Sequence, residues 1–183
     1  MNKYTLIRTV LGLGLSLLGP VAGAQTCNPA LSPTAPDSRF EVVAGSNGAE
    51  IRDTRTQLVW QRCPIGQSWN GSTCTGTPTQ MTWVEALKQA HAYTSNISWR
   101  LANIKELQSL VEEQCMDLAL NQRIFPVPAT LGALWSSTPV AGAFSSDGVN
   151  TELGAWTLDA ATGVTGRRVM SSTQAGWAVR SRN

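Results

Sequence analysis

Apolar residues recur at helical spacing in two stretches of this chain. In the first, Ile104, Leu107, Leu110 and Val111 form a stripe, with Lys105, Gln108, Ser109 and Glu112 mostly off it. Asn103 stands just before the stripe and Glu106 lies three residues on, which is capping-box spacing with Asn as the cap. A helix is therefore predicted from Ile104 to about Gln114, with Trp99 and Leu101 packed under its first turn. In the second, Thr82-Trp83-Val84-Glu85 repeats the capping-box pattern. The helix after it carries Trp83, Ala86, Leu87, Ala90 and Tyr93 on one face and is expected to end near Ser95.

Elsewhere the pattern shortens to that of strands. Phe40 to Val43 reads as a first strand. Ala49 to Arg52 and Leu58 to Arg62 read as two more, joined by the polar turn Asp53-Thr54-Arg55-Thr56. Pro126 and Pro128 oppose a helix in the irregular stretch 116–133. Beyond it, Ala133 to Ser137, Gly154 to Asp159, Val164 to Ser171 and Trp177 to Arg182 read as strands. The last three are expected to pair in an antiparallel series through the turns Ala160–Gly163 and Ser172–Gly176. Strands, two helices, then strands again give an α+β domain with a mainly antiparallel sheet.

The first 24 residues read as a secretory signal peptide. Lys3 and Arg8 precede the apolar stretch Thr9 to Val21, and Ala22-Gly23-Ala24 fits a small-x-small cleavage site. The stretch is short and broken by Gly19-Pro20, unlike a membrane span. Export to the periplasm or the cell surface follows as the expectation. Residues 25–39, rich in Pro, Ser, Thr and Ala, read as an extended arm, and residues 40–183 as one domain. A chain of this size buries roughly two-thirds of its unfolded surface.

Losing Lys3 and Arg8 takes the formal charge from +2 to 0, which removes any global attraction to nucleic acid or an anionic membrane. All four cysteines, Cys27, Cys63, Cys74 and Cys115, lie beyond the cleavage site. An even count in an oxidising compartment favours two disulfides, of three alternative pairings. Cys63–Cys74 closes readily around a loop rich in Gly, Ser, Asn and Pro, and Cys27–Cys115 is what remains. Lipidation of Cys27 is the alternative there, with Thr26 standing where a lipidation signal has a small residue. Zinc is disfavoured, because the cysteines lack paired C-x-x-C spacing and the sole histidine is His91.

Six segments now align in order with a known pattern: Asp53-Thr54-Arg55-Thr56-Gln57-Leu58-Val59-Trp60-Gln61-Arg62-Cys63; Thr82-Trp83-Val84-Glu85-Ala86-Leu87; Trp99-Arg100-Leu101 with Lys105-Glu106-Leu107; Phe125-Pro126; Leu134-Trp135-Ser136-Ser137-Thr138-Pro139; and Ala178-Val179-Arg180. Together they resemble the Lcl C-terminal domain family, a bacterial domain named after a collagen-like adhesin, over about residues 40–182. Two positions depart from the family pattern: Ala102 stands where proline is usual and Gln57 where glycine is usual. The adhesin's collagen-like stalk is absent. Trp-Arg-Leu-x-x-x-x-Glu is also similar to formylglycine-generating-enzyme-like domains, and the resemblance implies their C-type-lectin-like architecture, which by itself confers no function.

Candidate chemistry is sparse. Of seven tryptophans, Trp69 lies in the polar loop between Cys63 and Cys74 and is the one expected at a binding surface. Arg168, Arg180 and Arg182 sit in a tail without acids after Asp159; pairing of the last two strands would gather them into an anion-binding patch, against the favoured reading of a solvated edge with partners among Glu112, Glu113 and Asp159. The oxygen-rich segment Ser145 to Glu152 lacks EF-hand spacing and reads as a turn. His91 has no nucleophile–acid set around it. No catalytic residue, cofactor or metal ligand is assigned. The expectation is a non-enzymatic exported binding domain for a glycan, polyanion or envelope protein. The alternatives are an oxidoreductase of the formylglycine-generating type and an accessory subunit of a surface appendage or secretion complex.

Overall fold

The computed structural model describes residues 25–93, 98–141 and 152–181. The segment assigned as a signal peptide lies outside them, as do Arg182, most of the Ser145–Glu152 segment and the expected end of the first helix. In chain order the elements are β1 (Thr26–Cys27), β2 (Phe40–Val42), β3 (Glu50–Asp53), β4 (Leu58–Gln61), β5 (Ser68–Trp69), β6 (Cys74–Thr75), α1 (Trp83–His91), β7 (Arg100–Leu101), α2 (Ile104–Ser109), β8 (Cys115–Met116), β9 (Ala133–Pro139), β10 (Gly154–Asp159), β11 (Thr165–Val169), β12 (Ala175–Gly176) and β13 (Ala178–Ser181). The fold is α+β, with two α-helices and mainly antiparallel sheets. Among the described residues no helix is long and apolar enough to cross a membrane.

A five-stranded antiparallel sheet in the order β2-β3-β4-β13-β7 organises the domain. Strand alternation gives it two working faces. On one face Ile51, Trp60 and Val179 are cross-strand neighbours. They pack with Phe40, Leu107, Phe125, Leu134, Leu158 and Trp177. Phe125 meets Phe40 and Trp177 edge-on at 5.3 and 5.5 Å, the arrangement the ring quadrupoles favour. On the other face Val59, Leu101 and Ala178 pack with Ala86 and Ala90 of α1, Ile65, Met81, Trp99 and Trp135. Trp60, Trp99, Trp135 and Trp177 are fully buried, so most of the indoles serve the interior.

The last strands do not form the antiparallel series read from the sequence. β10 pairs with β11 and β9, whereas β13 leaves that sheet and inserts between β4 and β7. The residues before β13 instead form β12, which runs parallel to β9. The apolar residues of β13 account for the difference. Ala178 and Val179 are both fully buried, one on each face, which suits a central strand and not an edge.

The cap of α2 forms as its spacing implies. The Asn103 side chain accepts from the Glu106 amide at 2.9 Å, and the Glu106 carboxylate accepts from the Asn103 amide at 2.8 Å. Arg100 adds a forked pair to the same carboxylate at 2.7 and 2.6 Å. Those bonds hold the Arg100 guanidinium above its ordinary pKa against the opposing effect of burial. The Trp-Arg-Leu-x-x-x-x-Glu pattern is thus a helix-start clamp. Asn103→Ala is expected to lower stability by about 1 kcal/mol in urea denaturation, the usual value of a lost cap.

That helix ends at Ser109, earlier than the expected Gln114. The Glu112 amide donates to the Ala119 carbonyl at 2.9 Å, and the buried Glu112 carboxylate accepts from the Thr34 and Ala35 amides, each at 2.9 Å. The chain therefore turns here to hold the segment 25–39, which is built into the fold. β1 pairs with β8, Gln25 donates to the Leu118 and Leu120 carbonyls, and Ala35 is fully buried. Arg39 then forks onto Asp53, fixing the segment against the first hairpin.

Both positions that depart from the family pattern have a structural account. Gln57 has φ of 61°, the left-handed region that glycine enters without a steric penalty. Ala102 donates its amide to the Trp177 carbonyl at 3.1 Å, a bond that proline lacks the hydrogen to make.

Candidate functional site

The register of the five-stranded sheet places Glu41 opposite Arg52, Arg52 opposite Val59 and Val59 opposite Arg180. One cross-strand row thus carries charge, charge, apolar residue, charge. It lies on the face shared with α1, beyond the helix, where a cleft of about 380 Å³ opens. Val59 is buried, and Val42, Val43 and Ala44 supply further apolar wall.

The charges around this cleft are locally paired. Arg52 binds Glu41, and Arg180 donates to Glu50 at 2.9 Å. The Arg180 side chain is 13% exposed. Its guanidinium sits 5.3 Å from the Trp99 ring, and Tyr93 leans on that ring from 6.1 Å. Burial raises the Tyr93 pKa, so its hydroxyl stays protonated. Neither Arg180 Nε nor Trp99 Nε1 has a partner among the described residues. The site therefore presents a fixed row of donors and acceptors of both signs over an apolar floor.

The residues singled out in the sequence are not brought together. Arg168 is on β11, in the other sheet, exposed, beside a hollow of about 240 Å³ that Asp159 and Thr162 also line. Arg180 is on β13, in the five-stranded sheet. The expected pairing of the last two strands is what would have joined them, and that pairing does not form. Trp69, expected to be the most exposed indole, is half-buried, with the Arg62 guanidinium 4.2 Å from its ring. The described tryptophans offer no row of bare rings.

The disulfides are Cys27–Cys115 and Cys63–Cys74, with no free cysteine among the described residues. No cluster of three or more His, Cys, Asp or Glu among the described residues is placed to hold a metal ion. His91 is exposed at the end of α1. The two bridges and the lack of a membrane-spanning helix among the described residues are compatible with export.

The Arg100–Glu106 clamp, the Asp53 turn, Trp135 and the Val179–Arg180 strand all fall within residues 49–180, and the Lcl C-terminal domain family matches that span. The chain belongs to the Lcl C-terminal domain family. No curated protein matches it. The cleft is a feature of this Lcl C-terminal domain's own side chains. Of its charged lining residues, Glu41 lies just ahead of the matched span, while Arg52 and Arg180 lie within it, as does Glu50, the ion-pair partner of Arg180.

Sequence reasoning missed Glu41, Glu50 and Arg52. The signal was present in part, since strand alternation around the Asp53 turn places Arg52 and Val59 on one face. What was missing was the β4–β13 pairing, which brings Arg180 to the same row.

Proposed function

We propose that this Lcl C-terminal domain is an exported, non-enzymatic glycan-binding module whose ligand lies in the cleft over Val59. The observation that carries the reading is the row Glu41–Arg52–Val59–Arg180, with Glu50 closing it. A sugar ring has hydroxyls that both donate and accept, and C–H faces that favour apolar contact. A charge-balanced set of two guanidinium and two carboxylate groups around a valine floor matches both needs. The arginines are held by their partners and by Trp99, so little side-chain entropy is lost on binding. A polyanion finds less support here, because each cleft arginine already has a carboxylate. The oxidoreductase alternative finds less support, because all four cysteines are bridged.

The test is a glycan array on the non-reduced protein, followed by calorimetry on the best neutral oligosaccharide. Arg52→Ala is expected to weaken binding at least about tenfold, since hydrogen bonds to charged groups carry about 1.5–3 kcal/mol. Arg180→Ala should act in the same direction. An array without a retained glycan, or an affinity that Arg52→Ala leaves unchanged, rejects this assignment.

A further inference from the structure

Arg62 is the one arginine of the first hairpin region that is both buried and without a counter-charge. It is 9% exposed, and no carboxylate or carbonyl among the described residues accepts from its guanidinium. Its Nε is sealed from solvent with no partner. Arg39, about equally buried, forks onto Asp53. A guanidinium with one nitrogen sealed from solvent and no counter-charge is costly for a fold to hold. Burial accordingly lowers the Arg62 pKa.

The group is held in place by construction. Its amide donates to the Ala49 carbonyl at 2.8 Å, continuing the β3–β4 ladder, and the next residue, Cys63, is bridged to Cys74. The loop closed by that bridge folds back as β5–β6 and presents the Trp69 ring to the guanidinium at 4.2 Å. Gly48, at φ of 85°, lies against both groups. A Cβ there would come within 2.8 Å of Trp69 Nε1 and 3.4 Å of Arg62 Nη1. The turn thus lies against the stack only because that position has no side chain. Trp69 Nε1 also donates to no acceptor among the described residues, so two kinds of N–H donor converge under one turn.

We propose that Arg62 and Trp69 form an anion subsite that takes a carboxylate, the planar guanidinium donating to a planar oxyanion through its fork. The guanidinium fork matches the two coplanar oxygens of a carboxylate in a bidentate pair. The carboxylate can belong to a free organic acid or to a uronate sugar. The subsite is separate from the cleft over Val59. The two share the chain segment between β2 and β3, which contributes Val43 and Ala44 to one and Gly48 to the other.

The test is a titration of the oxidised protein with sodium acetate, sodium glucuronate and sodium sulfate at ionic strength matched with sodium chloride. Binding is followed by the NMR signals of Arg62 Nε–H and Trp69 Nε1–H, assigned by their loss in Arg62→Lys and Trp69→Phe. Both carboxylates are expected to shift the two signals saturably, and sulfate more weakly. A stronger response to glucuronate than to acetate assigns the source to a sugar acid, and an equal one to the carboxylate alone. Arg62→Met keeps an apolar cover on the indole and is expected to lose at least about tenfold in carboxylate affinity. Its melting temperature should be equal to or above that of the parent, because an unpaired buried charge has been removed. No saturable shift with either carboxylate, a sulfate response as large as theirs, or an Arg62→Met affinity within twofold of the parent overturns the proposal. Should Arg62→Met fail to fold, the same affinity criterion is read from Trp69→Phe and Arg62→Lys.

Discussion

Replacing Cys27 and Cys115 together by serine is expected to lower the unfolding free energy by about 4–5 kcal/mol, the largest loss of any change considered. The bridge spans 88 residues of sequence. Closing so long a loop removes much of the unfolded chain's freedom, and the chain-entropy treatment gives this figure. The Cys63–Cys74 bridge spans 11 residues and is expected to contribute less, about 3 kcal/mol. The two differ in another way. Cys27 ties down a segment whose other anchors are Gln25 on two carbonyls, Thr34 and Ala35 on Glu112, and Arg39 on Asp53. Guanidinium denaturation of the oxidised parent against the double serine variant measures the loss. A difference below about 1 kcal/mol would show that the segment detaches by itself before the domain unfolds. Hydrogen exchange at the Thr34 and Ala35 amides separates the two cases.

Asp53→Ala is expected to lower stability by about 3–5 kcal/mol, because it leaves Arg39 buried without its counter-charge. Asp53 is fully buried, and its carboxylate accepts from Arg39 Nε at 2.8 Å, Thr56 Oγ1 at 2.6 Å and the Arg55 amide at 2.9 Å. Burial alone would push its pKa up. The hydrogen bonds from Arg39, Thr56 and the Arg55 amide outweigh it, and the carboxyl stays below its ordinary value of 3.8. The sign of the pH effect follows. A carboxyl with a depressed folded pKa contributes its full stabilisation above the unfolded value and loses it as pH falls through the folded one. The gap between parent and Asp53→Ala should therefore be constant at neutral pH and shrink below about pH 4. Urea midpoints from pH 7 down to pH 2 check this. Arg39→Met combined with Asp53→Leu should cost much less than Asp53→Ala alone, since no charge is left stranded.

Local signals in the sequence were legible where one short segment decides the outcome. Thr82 with Glu85 and Asn103 with Glu106 start their helices as the spacing requires. Ala86 and Ala90 turn inward as the stripe implies. The first hairpin falls on β3 and β4 within a residue of its expected bounds. Non-local competition was not legible. Leu110 and Val111 continue the helical stripe, yet Ala119 and the Thr34–Ala35 amides win the backbone and the carboxylate of Glu112. Residues 178–181 alternate like any strand, and nothing in that alternation says whether the partner is β11 or β4. The candidate site suffers most from this, because its row is assembled from strands far apart in the chain. Arg62 lies inside the family segment 53–63 without standing out, since the absence of a partner is a property of three dimensions.

The position of β13 between β4 and β7 bears on the order in which the sheet can close. Val179 lies beside Trp60 in the sheet but is synthesised long after it. Until that late segment arrives, β4 has an open edge, and the two hydrophobic faces lack Val179 and Ala178 respectively. Contacts of such long sequence separation form slowly. A chain made N-terminus first thus keeps this sheet unzipped until residues 178–181 exist, and the architecture postpones its own closure.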